Sequence, residues 1–119
     1  MRDTTERLRD IQEAITHITR YTNQGRQVFD QDELVQTWVI HHLEIIGEAA
    51  RSIPQDFKDL HQKVPWKQIS RMRNVLIHIY FRIDRNIIWD MVEYDLPSLK
   101  ASIDAILNPD ETEKEDINP

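Results

Sequence analysis

Apolar residues recur at steps of three and four along most of the chain, a spacing that predicts amphipathic helices rather than strands. Leu8, Ile11, Ile15 and Ile18, continued by Thr22, set the first row, and a helix is expected from Thr4 to Tyr21. "TNQGRQ" then makes a turn around Gly25. A second helix is expected to start at Asp30 as N-cap, with Glu33 at the third position as in a capping box. It carries Leu34, Trp38, Ile45 and Ala49 on one row and Val35, Val39, Ile46 and Ile53 on the next, a broad arc that suits a central helix. Gly47 lies inside it. A glycine there costs about 1 kcal/mol relative to alanine, so close approach of another backbone is expected in compensation.

The second helix should stop before Pro54, and "PQDFKDLHQKV" reads as a connector with room for one short helical turn. Pro65 suits the first turn of a third helix through "WKQISRMRNVLIHIYF". Asp84 can cap a fourth, in which Ile88, Val92, Leu96, Leu99, Ile103 and Ile106 keep the helical step. Pro97 falls within that row and removes the hydrogen bond to the Glu93 carbonyl, which predicts a kink or a break. The expected fold is therefore all-α: an antiparallel up-and-down four-helix bundle over residues 1–109, with a kinked or broken last helix. Residues 110–119 are acidic and nearly free of apolar side chains, and are expected to be a disordered tail.

Composition narrows the function. The chain has 119 residues, enough for one domain with one core. It has no cysteine, which excludes disulfides, thiol catalysis and cysteine-ligated zinc and is compatible with a reducing cytoplasm. No apolar run approaches membrane-spanning length, and "MRDTTERLRD" is charged throughout, unlike a signal peptide. Formal net charge is −6, so bulk attraction cannot carry nucleic-acid binding. The charge is uneven, however. Residues 61–85 hold six Lys or Arg against one acidic residue, whereas 110–116 hold five acidic residues against one Lys. Such asymmetry is what a local anion site on an acidic protein would show, and equally what two solvated faces would show.

The third helix carries the candidate chemistry. With Arg73 at zero and roughly 100° per residue, Ile69, Met72, Val75, Leu76 and Ile79 share the core arc. Asn74 and His78 lie together off that arc, and Tyr80 falls almost in line with Arg73. Ile77 and Phe81 sit among them, so this wedge is expected to pack on something, either a second copy of the chain or its own connector. Arg presents a fixed fork to phosphate oxygens and stabilises added negative charge; His can take or give a proton near neutral pH. With the 2′-hydroxyl of RNA as nucleophile, that pair could cleave RNA by internal transfer, with neither metal nor cofactor. Arg73 and His78 are about 7.5 Å apart along the helix and about 140° apart around it, which suits a cleft between two helices better than one helix alone. The same wedge could instead hold a nucleotide without chemistry, or form a dimer seam.

"W-x2-I-x2-M-R-N-V-L-I-H-x-Y", from Trp66 to Tyr80, resembles the signature of HEPN-domain proteins of the HepT type, ribonuclease toxins of the HepT–MntA toxin–antitoxin pairs. The likeness extends to "EIIGEAA" in the second helix and "WDMVEYDLPSLK" in the fourth. It implies a HEPN-like bundle that forms a homodimer with two motifs at a shared cleft and acts as a metal-independent, cytoplasmic endoribonuclease on RNA. By position, it makes Arg73 and His78 the catalytic pair and Asn74 a supporting residue. It makes Tyr80 the residue that an MntA-like nucleotidyltransferase antitoxin modifies with AMP.

Glu48 is an acidic neighbour that could orient or pair with Arg73 or His78 across the bundle. His41, Glu44 and Glu48 share a face, but without a His-Glu-x-x-His pattern they, with His42, read as surface charge rather than a metal site. His17 and His61 also read as surface residues. Trp38, Trp66 and Trp89 read as core or interface residues rather than base-stacking platforms.

Overall fold

The computed structural model describes residues 2–78 and 84–109, without the side chain of His78. Every regular element among these residues is helical. The first, α1 (Thr4–Thr22), starts where the Asp3 carboxylate accepts from the Glu6 N–H at 2.8 Å. It buries Leu8, Ile11, Ala14, Ile15 and Ile18, the row expected from the periodicity. Gly25, at φ 100°, turns the chain into a short helix, α2 (Arg26–Gln31). Positive φ is readily available only to glycine, which fits this turn.

The second long helix does not begin at Asp30. Asp30 lies inside α2, and Asp32 is the N-cap of α3 (Glu33–Arg51), its carboxylate accepting from the N–H groups of Leu34 and Val35. The shift follows from Phe29, which is fully buried and tilts against Trp89 at 5.3 Å between ring centroids. Burying that ring, worth about 1.5–3 kcal/mol, holds α2 against the bundle and moves the start of α3 two residues on. Gln36 locks the junction by donating to the carbonyls of Phe29 and Asp30. Leu34, expected on an apolar row, is instead 82% exposed at the outer edge of the first turn.

Helix α3 lies between α1 and α5 (Trp66–His78), and α1 in turn packs on α7 (Leu96–Leu107). The core is built on Val39, Leu43, Ile46 and Ala50 from α3 and on Ile69, Met72 and Leu76 from α5. The connector between them holds the short α4 (Gln55–Leu60), and Pro65 lies immediately before α5, its carbonyl accepting from the Ile69 N–H.

Asp84 caps α6 (Arg85–Asp90) by accepting from Asn86 and Ile87. The break expected near Pro97 is a π turn, Met91–Asp95, which runs directly into α7. There the Leu96 N–H donates to the Met91 carbonyl, five residues back. The wider turn places Pro97 in the first turn of α7, where its missing N–H costs little. Gln68 of α5 donates to the Asp95 carboxylate at 2.8 Å, closing the bundle between α5 and the π turn. Burial pushes that carboxyl above its ordinary range, with Arg71 partly opposing the shift and Asp90 adding to it.

Candidate active site around Arg73

Trp66, Ser70, Arg73, Asn74 and Ile77 recur at steps of four, three, one and three along α5, so they cluster on the side away from the core row. Arg73 is held at two points by α3. Its Nε donates to Glu48 Oε1 at 3.0 Å. Its aliphatic stem lies over Gly47, where an added Cβ would stand 3.1 Å from Arg73 Cβ and 3.2 Å from its Cγ. The glycine predicts close approach of a backbone; what approaches is the side-chain stem of Arg73. Any larger residue at 47 would push α5 outward just where the guanidinium is placed.

The Arg73 side chain is 29% exposed and that of Glu48 is 59% exposed. An ion pair so open to water adds little stability, so its main effect is orientation. It uses one of the five N–H donors of the guanidinium, and the others remain chemically suited to a bound anion. Glu48 also approaches Arg51, one turn on, at 3.7 Å.

Arg73 and Asn74 line a cleft of about 220 Å³ with Gly47, Arg51, Lys58, Trp66 and Ser70. Arg51 comes from the end of α3 and Lys58 from α4, so the cleft gathers three cations from three elements. No pattern local to α5 could have pointed to Arg51 or Lys58. Ile77 is 55% exposed, in keeping with its place on the wedge rather than in the core. The His78 side chain, Tyr80 and Phe81 lie outside the described residues, so of the expected site the structure brings together Arg73, Asn74 and Glu48.

His41 and Glu44 lie on the other flank of α3, in a groove with Arg7, Asp10 and Glu48. Among the described residues no group of three or more His, Asp or Glu is arranged to hold a metal ion. His42 is not a surface residue: it is buried, stacked on His17 at 4.8 Å and edge-on to Trp38 at 4.4 Å. His17 is half-buried in the same stack, and Trp38 donates from its indole to the His17 carbonyl. Burial, then the neighbouring His17 and His41, lower the His42 pKa from its ordinary value, while Glu13 opposes them. His61 is half-buried against Phe57. Of the tryptophans, Trp89 is in the core and Trp66 is half-buried at the cleft.

The family profile described as "Ribonuclease HepT-like" matches residues 11–106, a span that includes α3, α5 and every residue of this cleft. The chain belongs to the HepT-like ribonuclease family. Relatives of this HepT-like chain agree with the profile. A protein of Thermococcus cleftensis named "Probable ribonuclease HepT" is 45% identical over 100 residues, covering 83% of this chain and 91% of its own length. One from Methanocaldococcus jannaschii, named "Putative RNase MJ0127", is 40% identical over 111 residues, covering 91% and 90%. Another, from Caldanaerobacter subterraneus subsp. tengcongensis and named "Putative RNase TTE0752", is 37% identical over 97 residues, covering 82% and 87%. No solved structure gives a significant match. No described helix of this HepT-like chain is long and apolar enough to cross a membrane.

Proposed function

We propose that this HepT-like protein is a cytoplasmic, metal-independent endoribonuclease and the toxin of a toxin–antitoxin pair. In this reading Arg73 and His78 are catalytic and Asn74 and Glu48 support them, at a cleft completed by a second copy of the chain. The observation that supports it most is the double fixing of Arg73, by Glu48 and over Gly47, beside Asn74 in a cation-lined cleft. An arginine held in one place is what stabilisation of a transition-state charge requires.

His78 takes the proton of the RNA 2′-hydroxyl, and the 2′-oxygen attacks the adjacent phosphorus. Arg73 stabilises the added negative charge on the phosphoryl oxygens. The 5′-oxygen leaves with a proton returned from a histidine, so the products end in a 2′,3′-cyclic phosphate and a 5′-hydroxyl. Neutralisation is by an MntA-like nucleotidyltransferase, which transfers AMP from a nucleoside triphosphate to the Tyr80 hydroxyl and releases pyrophosphate. The added bulk and negative charge then block the cleft.

The test is cleavage of defined RNAs by the purified protein in chelator, with end-group analysis of the products. Activity with cyclic-phosphate ends, lost in Arg73→Ala and in His78→Ala, supports the reading. Nucleotide binding with no cleavage would instead make the protein a non-catalytic partner of the nucleotidyltransferase. For the regulatory half, intact mass after co-expression with that enzyme should rise by AMP units in wild type and not in Tyr80→Phe.

A further inference from the structure

The cleft beside Arg73 continues past the residues that the cleavage reaction needs. A second, larger groove of about 1090 Å³ is lined by Lys58, Trp66 and Ser70, which it shares with the first, and by Lys67 and Arg71. Together the two form one surface that runs from Arg73 and Asn74 back along α5 to its start. Among the described residues five cations line it, Arg51, Lys58, Lys67, Arg71 and Arg73, against Asp59 in the lining and Glu48 at its edge, which pairs with Arg73 and approaches Arg51. On a chain of net charge −6 this concentration stands out. Part of it, Arg51 and Lys58, comes from outside the basic stretch of the sequence and is assembled only by folding.

The surface also has an aromatic floor. The Trp66 indole donates to the His61 carbonyl at 3.0 Å, which fixes the ring. Lys58 Nζ lies 5.6 Å from the ring centroid, within reach of a cation–π contact. From Trp66 to Arg73 is seven residues of α-helix, or about 10.5 Å, room for more than one stacked nucleotide at ~3.4 Å each. A positive groove with a fixed aromatic ring on its floor is the arrangement that holds single-stranded nucleic acid without reading its sequence.

We propose that this surface is a binding track for the single-stranded RNA flanking the cleaved bond, with Arg51 and Lys58 on the neighbouring phosphate and Trp66 against a base. The inference rests on the ribonuclease reading for its substrate. It assigns to Lys58, Arg51, Trp66 and Lys67 a role in binding that is separate from the chemistry at Arg73.

The experiment measures anisotropy of a labelled, 2′-O-methylated, hence uncleavable, single-stranded RNA against full-length protein over a range of salt. Lys58→Glu and Lys67→Glu should each weaken binding by about tenfold, and each should flatten the dependence of log affinity on log salt by about 0.7 for every phosphate no longer neutralised. Arg9→Glu, an equal change of charge at an exposed site on α1, should do neither. Affinity and salt slope unchanged in both track variants, or lowered equally in Arg9→Glu, would overturn the track even if Arg73→Ala abolishes cleavage. Wild type that does not bind this RNA would overturn it too. Binding that depends on Lys58 and Lys67, in a protein that cleaves no RNA, would uphold the track while removing the catalytic reading.

Discussion

Gly47 and Arg73 touch across the α3–α5 interface so closely that a methyl group on Gly47 would stand 3.1 Å from Arg73 Cβ. Two effects of Gly47→Ala therefore oppose each other. Alanine improves the helix by about 1 kcal/mol. The contact, with atoms next to the α5 backbone rather than at a flexible tip, forces α5 outward by a few tenths of an ångström. Stability should change by less than ~1 kcal/mol in urea unfolding, while RNA cleavage should fall if Arg73 has the catalytic role proposed above, because the contact displaces it. Gly47→Val should destabilise by about 1–3 kcal/mol through overpacking. Full cleavage activity in Gly47→Ala would show that the position of Arg73 does not depend on this contact.

Glu48 should separate binding from chemistry. Its carboxylate orients Arg73 but also places a negative charge beside the cleft. On the proposed catalytic role of Arg73, Glu48→Ala should lower kcat by loosening Arg73 and lower KM by making the cleft more positive. Glu48→Gln, which keeps an acceptor for Arg73 Nε, should recover most of kcat with the lower KM. Because Glu48 is exposed and Arg73 still reaches water, unfolding free energy should move by less than ~1 kcal/mol in either variant. Steady-state cleavage of one RNA by the three proteins reads the split; a kcat unaffected by Glu48→Ala removes its orienting role.

The buried faces of α1 and α5 were legible in the sequence because burial imposes a helical period on apolar residues, and Ile69, Met72 and Leu76 fall where that period places them; on α3 the rows found Val39 and Ile46 but missed Leu43. The cap of α3 was not. Asp30 and Asp32 are equally good caps by chemistry, and the choice is made by where Phe29 finds its pocket in the bundle. Pro97 announced an irregularity but not its form, since a kink, a break and a π turn all relieve the same missing hydrogen bond. Within the candidate site, Arg73 and Asn74 were visible as a cluster on one helix. Arg51 and Lys58 were not, because they reach the same cleft from α3 and α4, through a tertiary arrangement that no local spacing encodes. His42 escaped for a related reason: a polar residue at the edge of a broad apolar arc reads as surface until the helix packed against it, α1, is in place.

His42 should make stability fall in acid. Burial lowers its pKa in the fold below the ordinary 6.5, so the unfolded chain binds the proton more readily than the folded one. Stability from this group is therefore complete above about pH 6.5 and declines as pH drops below that value, until the folded form is protonated as well. Neither ring nitrogen meets a hydrogen-bond partner among the described residues. His42→Phe removes both the titration and two unsatisfied polar atoms while keeping an aromatic ring against His17 and Trp38. It should unfold at urea concentrations equal to or above wild type at pH 7.5, with a smaller loss between pH 6.5 and 5. An unchanged pH slope in His42→Phe would assign the acid sensitivity to other groups.

Ile77 tests whether the cleft needs a second copy of the chain. It lies one helical turn beyond Arg73, at i+4, and is 55% exposed. A large apolar residue held open to water next to a charged cleft gains only if something covers it, and a second α5 related by a two-fold axis would do so. Ile77→Glu should then yield a folded monomer by sedimentation at concentrations where wild type is dimeric, with helical content retained and the concentration dependence of unfolding lost. On the proposed roles of Arg73 and His78 cleavage should be lost with the dimer, because a spacing of five residues sets two positions about 140° apart around an ideal helix. Ile77→Ala, which keeps the face apolar, should weaken the dimer and restore cleavage at high protein concentration. A monomeric Ile77→Glu that still cleaves RNA at the wild-type rate would place the whole reaction within one chain.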